Sequence, residues 1–150
     1  MLAAAQTLRS GWVAQGPAVR AFERELAELL EITPERVVAV SSGTAALYLA
    51  LYALSLPEGA RVGVPVYACS ALRNAVVAAR GIPVYVDSTS DHPNMDPYSI
   101  DSESVEAAIV AGLFGRPVQL QRELPFPVIE DIAQALGARI AGSQRARKQL

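Results

Sequence analysis

Cysteine, histidine and lysine each occur once in these 150 residues, as Cys69, His92 and Lys148. A disulfide within the chain is therefore impossible, and neither a zinc-ligand set nor a Cys/His/Asn nucleophile set can be assembled. A lone thiol fits a reducing compartment, so a cytoplasmic protein is expected. Charge is also scarce: 19% of residues are charged, with 13 Lys plus Arg against 15 Asp plus Glu and a formal net charge of −2. That balance exerts no global pull towards nucleic acid or an acidic membrane, and neither is expected as a partner. The longest apolar stretch, Ala45 to Leu54, falls far short of the roughly 18 residues that span a bilayer. Met1 to Ala5 is apolar, but Gln6, Thr7 and Arg9 interrupt it before an export-signal core can build up. No strand is followed by G-x-G-x-x-G or G-x-x-x-x-G-K-S/T, which argues against a nucleotide-binding module of those types.

What the chain does have is a hydrophobic fraction of 51% in 15.9 kDa, enough for one globular domain and its core. From Pro17, the segment PAVRAFERELAELLEI places Val19, Phe22, Leu26 and Leu29 or Leu30 at helical spacing, with Pro17 at the favoured first position. Val37 to Val40 is a short β-branched run, followed by the polar turn Ser41 to Thr44 and a helix over Ala45 to Leu54. The unit recurs as a strand from Arg61 to Val64 stopped by Pro65, a helix from Ala68 to Ala79 and a strand from Pro83 to Val86. Asp87 to Asp101 reads as a loop in which His92 is exposed and without a role, Ser104 to Ala107 as a brief helix, and Ala108 to Phe114 as a strand. Val128 and Ile129 form a last buried strand ending at Glu130 and Asp131, with a short helical stretch through Ala138. Alternating strands and helices predict an α/β fold of three layers, a mostly parallel sheet with helices on both faces, and no composition shift marks a domain boundary.

In such sheets a ligand lies beyond the carboxyl ends of the strands, here the turns at Ser42–Thr44, Pro65–Tyr67, Asp87 and Asp131. At Ser42–Thr44, free backbone N–H groups, a helix dipole and hydroxyls converge, as a phosphate requires. Gly43 would let the ligand approach the backbone, and Thr44 or Ser42 could donate from the side chain; ordinary helix capping is the simpler alternative for this turn. Asp131, at a strand end, could face a cofactor with a protonated ring nitrogen, or merely cap the next helix. Gln134 would share a face with Asp131 and offer an amide to a ring substituent.

Ordered motifs run through nearly the whole chain: Ser10-Gly11-Trp12, Gln15-Gly16-Pro17 with Phe22-Glu23, Ser42-Gly43-Thr44-Ala45-Ala46-Leu47, and Pro65-Val66-Tyr67. Pro83-Val84-Tyr85-Val86-Asp87, Gly115-Arg116-Pro117 and Val128-Ile129-Glu130-Asp131-Ile132-Ala133-Gln134-Ala135 follow. In these the sequence resembles the DegT/DnrJ/StrS family of pyridoxal-phosphate-dependent sugar aminotransferases. The resemblance implies that residues 1–150 are the N-terminal part of a fold-type-I large domain, with the C-terminal small domain absent, in a protein usually dimeric with its cofactor beside the subunit interface. It implies pyridoxal 5'-phosphate as cofactor, with Gly43 and Thr44 at its phosphate, Asp131 at the pyridinium nitrogen and Gln134 on the side of the phenolic oxygen. It implies a nucleotide-linked keto sugar as amino acceptor and glutamate or a similar amino acid as donor. Trp12 and Tyr67 could border the pocket or simply pack.

The departures from the family pattern are equally specific. The family attaches its cofactor through a lysine well after the Glu-Asp-x-Ala-Gln motif, in a stretch bearing Ser-Phe and glycines. Here the single lysine, Lys148, stands in Gln144 to Leu150, which has neither feature and follows Asp131 too closely. The expectation is a chain truncated before that lysine and inactive alone, as a fragment or as one half of a split enzyme; the alternative is a non-catalytic remnant that binds pyridoxal phosphate weakly or associates with an intact paralogue. A homo-oligomer or an association with a longer paralogue is the expected assembly. Val118 to Pro127 is shorter than the helix-bearing connection usual in the family, and Gly112 stands where a histidine is often found. Cys69 falls where many members stack an aromatic ring on the cofactor; a small buried core residue is the alternative.

Overall fold

A proline at the first helical position and a left-handed residue at the end delimit α2 (Pro17–Leu30), the longer helix of the N-terminal part of the chain. In this computed structural model, which describes residues 2–138, Glu31 takes φ +56° and the Ile32 N–H reaches the Ala27 carbonyl at 3.0 Å, closing the helix as a glycine usually does. A first helix, α1 (Leu2–Ser10), precedes it. The chain divides into two compact units, Met1–Val40 and Ser41–Leu150.

Val37 to Val40, expected as a strand, is extended but joins no ladder among the described residues. β-branching favours the extended backbone but supplies no partner, and the Ala39 N–H donates instead to Glu23 Oε1 of α2 at 2.9 Å. Glu23 thus ties down the segment that leads to the polar turn.

The second unit starts with α3 (Gly43–Ala53), whose cap is Ser42, and continues through β1 (Arg61–Pro65), α4 (Ser70–Ala78), β2 (Ile82–Val86), β3 (Ala107–Ala111) and β4 (Val128–Asp131). All strand pairs are parallel in the order β2-β1-β3-β4, with Arg61 opposite Ile82, Val62 opposite Ala107, and Ala108 opposite Val128. The two central strands lie under cover on both faces, so they are continuous small and β-branched runs rather than alternating ones. Val62, Val64, Ala107, Ile109 and Ala111 form the core with Leu47 and Leu51 of α3 and Leu72, Ala75 and Val76 of α4. Val110, Ala108, Val86 and Val128 face the other way, against Met95, Val105, Val118 and Phe126 from loops. Within this unit the helices therefore occupy one face, and extended segments close the other where the shortened Val118–Pro127 connection runs.

Four further local expectations change. Ser104 to Ala107 is no helix: the Ser104 N–H and hydroxyl both donate to the Asp101 carbonyl, at 2.9 and 2.6 Å, giving one turn. The Glu106 N–H then donates to the Arg61 carbonyl at 2.8 Å and draws Ala107 into β3. β3 stops at Ala111 instead of Phe114, because Phe114 and Gly115, with φ of +53° and +75°, make a left-handed turn closed by Arg116 N–H to Leu113 O at 2.9 Å. After Asp131 the chain makes single turns, not a helix, and Gly137 with φ +78° ends them. His92 is half-buried rather than exposed; its Nδ1 accepts the Asn94 N–H at 3.2 Å and its carbonyl accepts the Thr89 hydroxyl. Lys148 and the stretch around it lie outside the described residues.

Candidate functional site

The direction of α3 decides where its N-terminus lies. Leu51 and Tyr52, near its C-terminal end, line a cavity of about 270 Å³ together with Ala60, Val62 and Gly81, which lie at the amino ends of β1 and β2. Eleven helical residues rise about 16 Å, close to the length of a five-residue strand. The N-terminus of α3 is thereby brought to the carboxyl end of the sheet, where the expected ligand turns are.

At that end Ser42 is extended, with φ −163°, and its Oγ accepts the Ala45 N–H at 3.1 Å. Capping is thus real, yet it satisfies only one of the orphan donors. The N–H groups of Gly43 and Thr44 have no acceptor among the described residues, and both residues are exposed. A Cβ built at Gly43 would meet no atom within 4 Å, so neither packing nor a left-handed backbone demands glycine there. The open side of Gly43 and the helix dipole together leave a place suited to an anion.

Asp131 is the last residue of β4 and stands beside Ala111, whose side chain belongs to the helix-side core. Register partners in a parallel ladder share a face, so the Asp131 carboxylate leaves the sheet on the side of α3, which packs against β4. It is half-buried; one oxygen, Oδ1, accepts the Ala133 N–H at 3.0 Å, and Oδ2 has no partner among the described residues. The neighbouring Glu130 pairs with Val110 and points to the opposite, apolar side, where burial pushes its carboxyl above the ordinary value of 4.5.

Gln134 does something its residue type did not announce. Its Oε1 accepts the Phe114 N–H at 3.1 Å and its carbonyl accepts the Gly115 N–H at 2.9 Å, so it holds the turn after β3. The Nε2 group is left as a free donor among the described residues. Cys69 is exposed among the described residues and stands at the N-cap position of α4, with no side-chain cap hydrogen bond. Tyr67 is also exposed, with its ring centroid 6.4 Å from that of Phe114 across the ends of β1 and β3. In the first unit Trp12 is 59% exposed and packs on Gly16, where a Cβ would come within 3.0 Å of it. Gly112 is enforced: an added Cβ would lie 2.8 Å from Ala135 Cβ.

The free groups are chemically complementary to a phosphorylated pyridine. Backbone donors suit the phosphate, a carboxylate oxygen suits a protonated ring nitrogen, and an amide N–H suits a ring oxygen. Fold and site together define a parallel α/β domain with an open helix N-terminus and a half-buried carboxylate at the sheet's carboxyl end. The chain belongs to the DegT/DnrJ/EryC1/StrS aminotransferase family, whose model matches residues 1–149. It is 36% identical over 149 residues to the dTDP-3-amino-3,4,6-trideoxy-alpha-D-glucose transaminase of Streptomyces venezuelae, covering 93% of this chain and 39% of that one. Its fold matches the crystal structure of S. venezuelae DesV in complex with a ketimine intermediate, with a TM-score of 0.80 and 35% identity over 89% of this chain and 38% of that one. NtdA from Bacillus subtilis, solved with bound cofactor PMP, matches with a TM-score of 0.78 and 31% identity over 89% of this chain and 32% of that one. The chain thus spans about two fifths of the length of the curated relative. No helix among the described residues is long and apolar enough to cross a membrane.

Proposed function

We propose that this chain supplies the pyridoxal 5'-phosphate-binding part of a sugar aminotransferase, which moves an amino group from an amino acid such as glutamate to a nucleotide-linked keto sugar. The observation that carries the reading is the convergence of Asp131 and the α3 N-terminus on one face and one end of the sheet, each with an unused polar group. Gly43 N–H, Thr44 N–H and the Thr44 hydroxyl would bind the phosphate. Asp131 Oδ2 would hold a proton on the ring nitrogen, and Gln134 Nε2 would donate to the ring oxygen. When bound, the cofactor supplies a ring that accepts electrons from the reacting carbon. Ser42 Oγ accepts the Ala45 N–H and keeps its O–H free to donate to the phosphate, and Cys69 and Tyr67 would border the ring.

Residues 1–150 contain one lysine, which lacks the family's Ser-Phe and glycine surroundings. The same reading has these residues bind the cofactor without turning substrate over by themselves. Titration calorimetry with pyridoxal phosphate and with pyridoxal, which lacks the phosphate, tests the binding. The phosphorylated ligand should bind at least tenfold more tightly, and equal affinities would remove the α3 N-terminus from the site.

A further inference from the structure

Asn94 is the buried polar residue of the described core, 3% exposed, in the loop between β2 and β3. Both ends of its amide are spent on one target. Oδ1 accepts the Leu113 N–H at 2.9 Å, and Nδ2 donates to the Arg116 carbonyl at 2.9 Å. Those are the first and last residues of the turn in which Phe114, an exposed aromatic residue, adopts φ +53°. A bulky side chain seldom accepts that backbone unless its surroundings over-determine it. Gln134 grips the middle of the same turn, through Phe114 N–H to its Oε1 and Gly115 N–H to its carbonyl. The orientation of both amides follows from the chemistry, since an oxygen must face each N–H and a nitrogen must face the Arg116 carbonyl.

We propose that Asn94 is a positioning residue for the cofactor site. By holding the Leu113–Arg116 turn from its buried side, it fixes the Phe114 N–H that pins Gln134 Oε1, which leaves Nε2 as the end offered to a ligand. The inference rests on the reading of Gln134 given above and adds to it a residue that touches neither cofactor nor substrate.

A double-mutant cycle on the full chain tests it, with pyridoxal phosphate and inorganic phosphate as separate probes in calorimetry. Gln134→Ala should weaken pyridoxal phosphate about tenfold, the scale of one hydrogen bond. Asn94→Ala should cost a similar factor, and the double variant should lose little more than either single one, because both act through the same amide. Inorganic phosphate, which reads only the α3 N-terminus, should keep its affinity within about twofold in all three. Hydrogen exchange supplies a second readout: the Phe114 amide should exchange faster in Asn94→Ala while the Ala45 amide, at the cap of α3, should not. If Asn94→Ala lacks a cooperative melt, Asn94→Ser carries the cycle; its small neutral side chain avoids a buried charge and is too short to hold both ends of the turn, so a similar loss is expected. Additive losses, equal losses for both probes, or an unaffected Asn94 variant beside a weakened Gln134→Ala would each overturn the positioning role and leave the Gln134 reading standing. A Gln134→Ala variant with unchanged affinity would overturn both.

Discussion

Glu130 and Asp131 are consecutive residues of β4, and they leave the sheet on opposite faces: Glu130 beside Val110 in the loop-covered layer, Asp131 beside Ala111 on the helix side. One peptide step separates a carboxylate that burial opposes from one at the candidate cofactor site.

The environment of Glu130 gives stability a definite pH dependence. Burial raises its folded-state pKa above the ordinary 4.5, so between the two values the folded chain binds more protons than the unfolded one. Its contribution is fully present below about 4.5 and is lost as pH rises through the folded-state value. Glu130→Gln should therefore melt higher than the unchanged chain at pH 7 and lose this slope in melts taken from pH 4 to 8. An identical slope in the variant would show that Glu130 is not its source.

Gly112 stands where the resemblance led one to look for a histidine, and its neighbours exclude any side chain. A methyl group there would lie 2.8 Å from Ala135 Cβ and 3.1 Å from the Arg116 carbonyl oxygen. Gly112→Ala should destabilise by about 1–3 kcal/mol, the usual cost of overpacking. Urea denaturation measures it, and Gly112→Ala combined with Ala135→Gly should recover most of the loss.

Lys148 should carry no cofactor. Incubation with pyridoxal phosphate followed by borohydride and peptide mapping should leave no stoichiometric label on it, and assays with glutamate and nucleotide-linked keto sugars should show no turnover by these 150 residues. Site-specific labelling of Lys148 accompanied by turnover would overturn the expectation.

Much of the fold is legible in the sequence. Pro17 and the spacing of Val19, Phe22 and Leu26 mark α2, and the short apolar runs Val62–Val64 and Val128–Ile129 mark strands, the first buried on both faces and the second half-buried at the sheet's edge. Val37 to Val40 carried the same local signal without being a strand, since pairing is decided by what lies opposite, and there Glu23 takes the Ala39 N–H. α1 was missed: its alanines favour helix, but it buries no residue, so no apolar stripe announced it. In the site, Gly43, Thr44 and Asp131 could be singled out because helix N-termini and strand ends are local features. Asn94 and the backbone grip of Gln134 could not, as their partners lie 19 to 22 residues away in the chain. The shortness of Val118–Pro127 is legible too, and the segment forms neither helix nor strand.

The central claim is that Asp131 faces a cofactor ring while Gly43 and Thr44 face its phosphate. Calorimetric titration of Asp131→Ala against two ligands tests it most directly, with Gly43→Val as the reference for the phosphate end. Asp131→Ala should weaken pyridoxal phosphate at least tenfold and leave inorganic phosphate unchanged or slightly tighter, because a bare phosphate offers that carboxylate only repulsion. Gly43→Val should weaken both. Equal losses for the two ligands on changing Asp131 would make it a residue that supports the fold, and the assignment of the cofactor site would be contradicted.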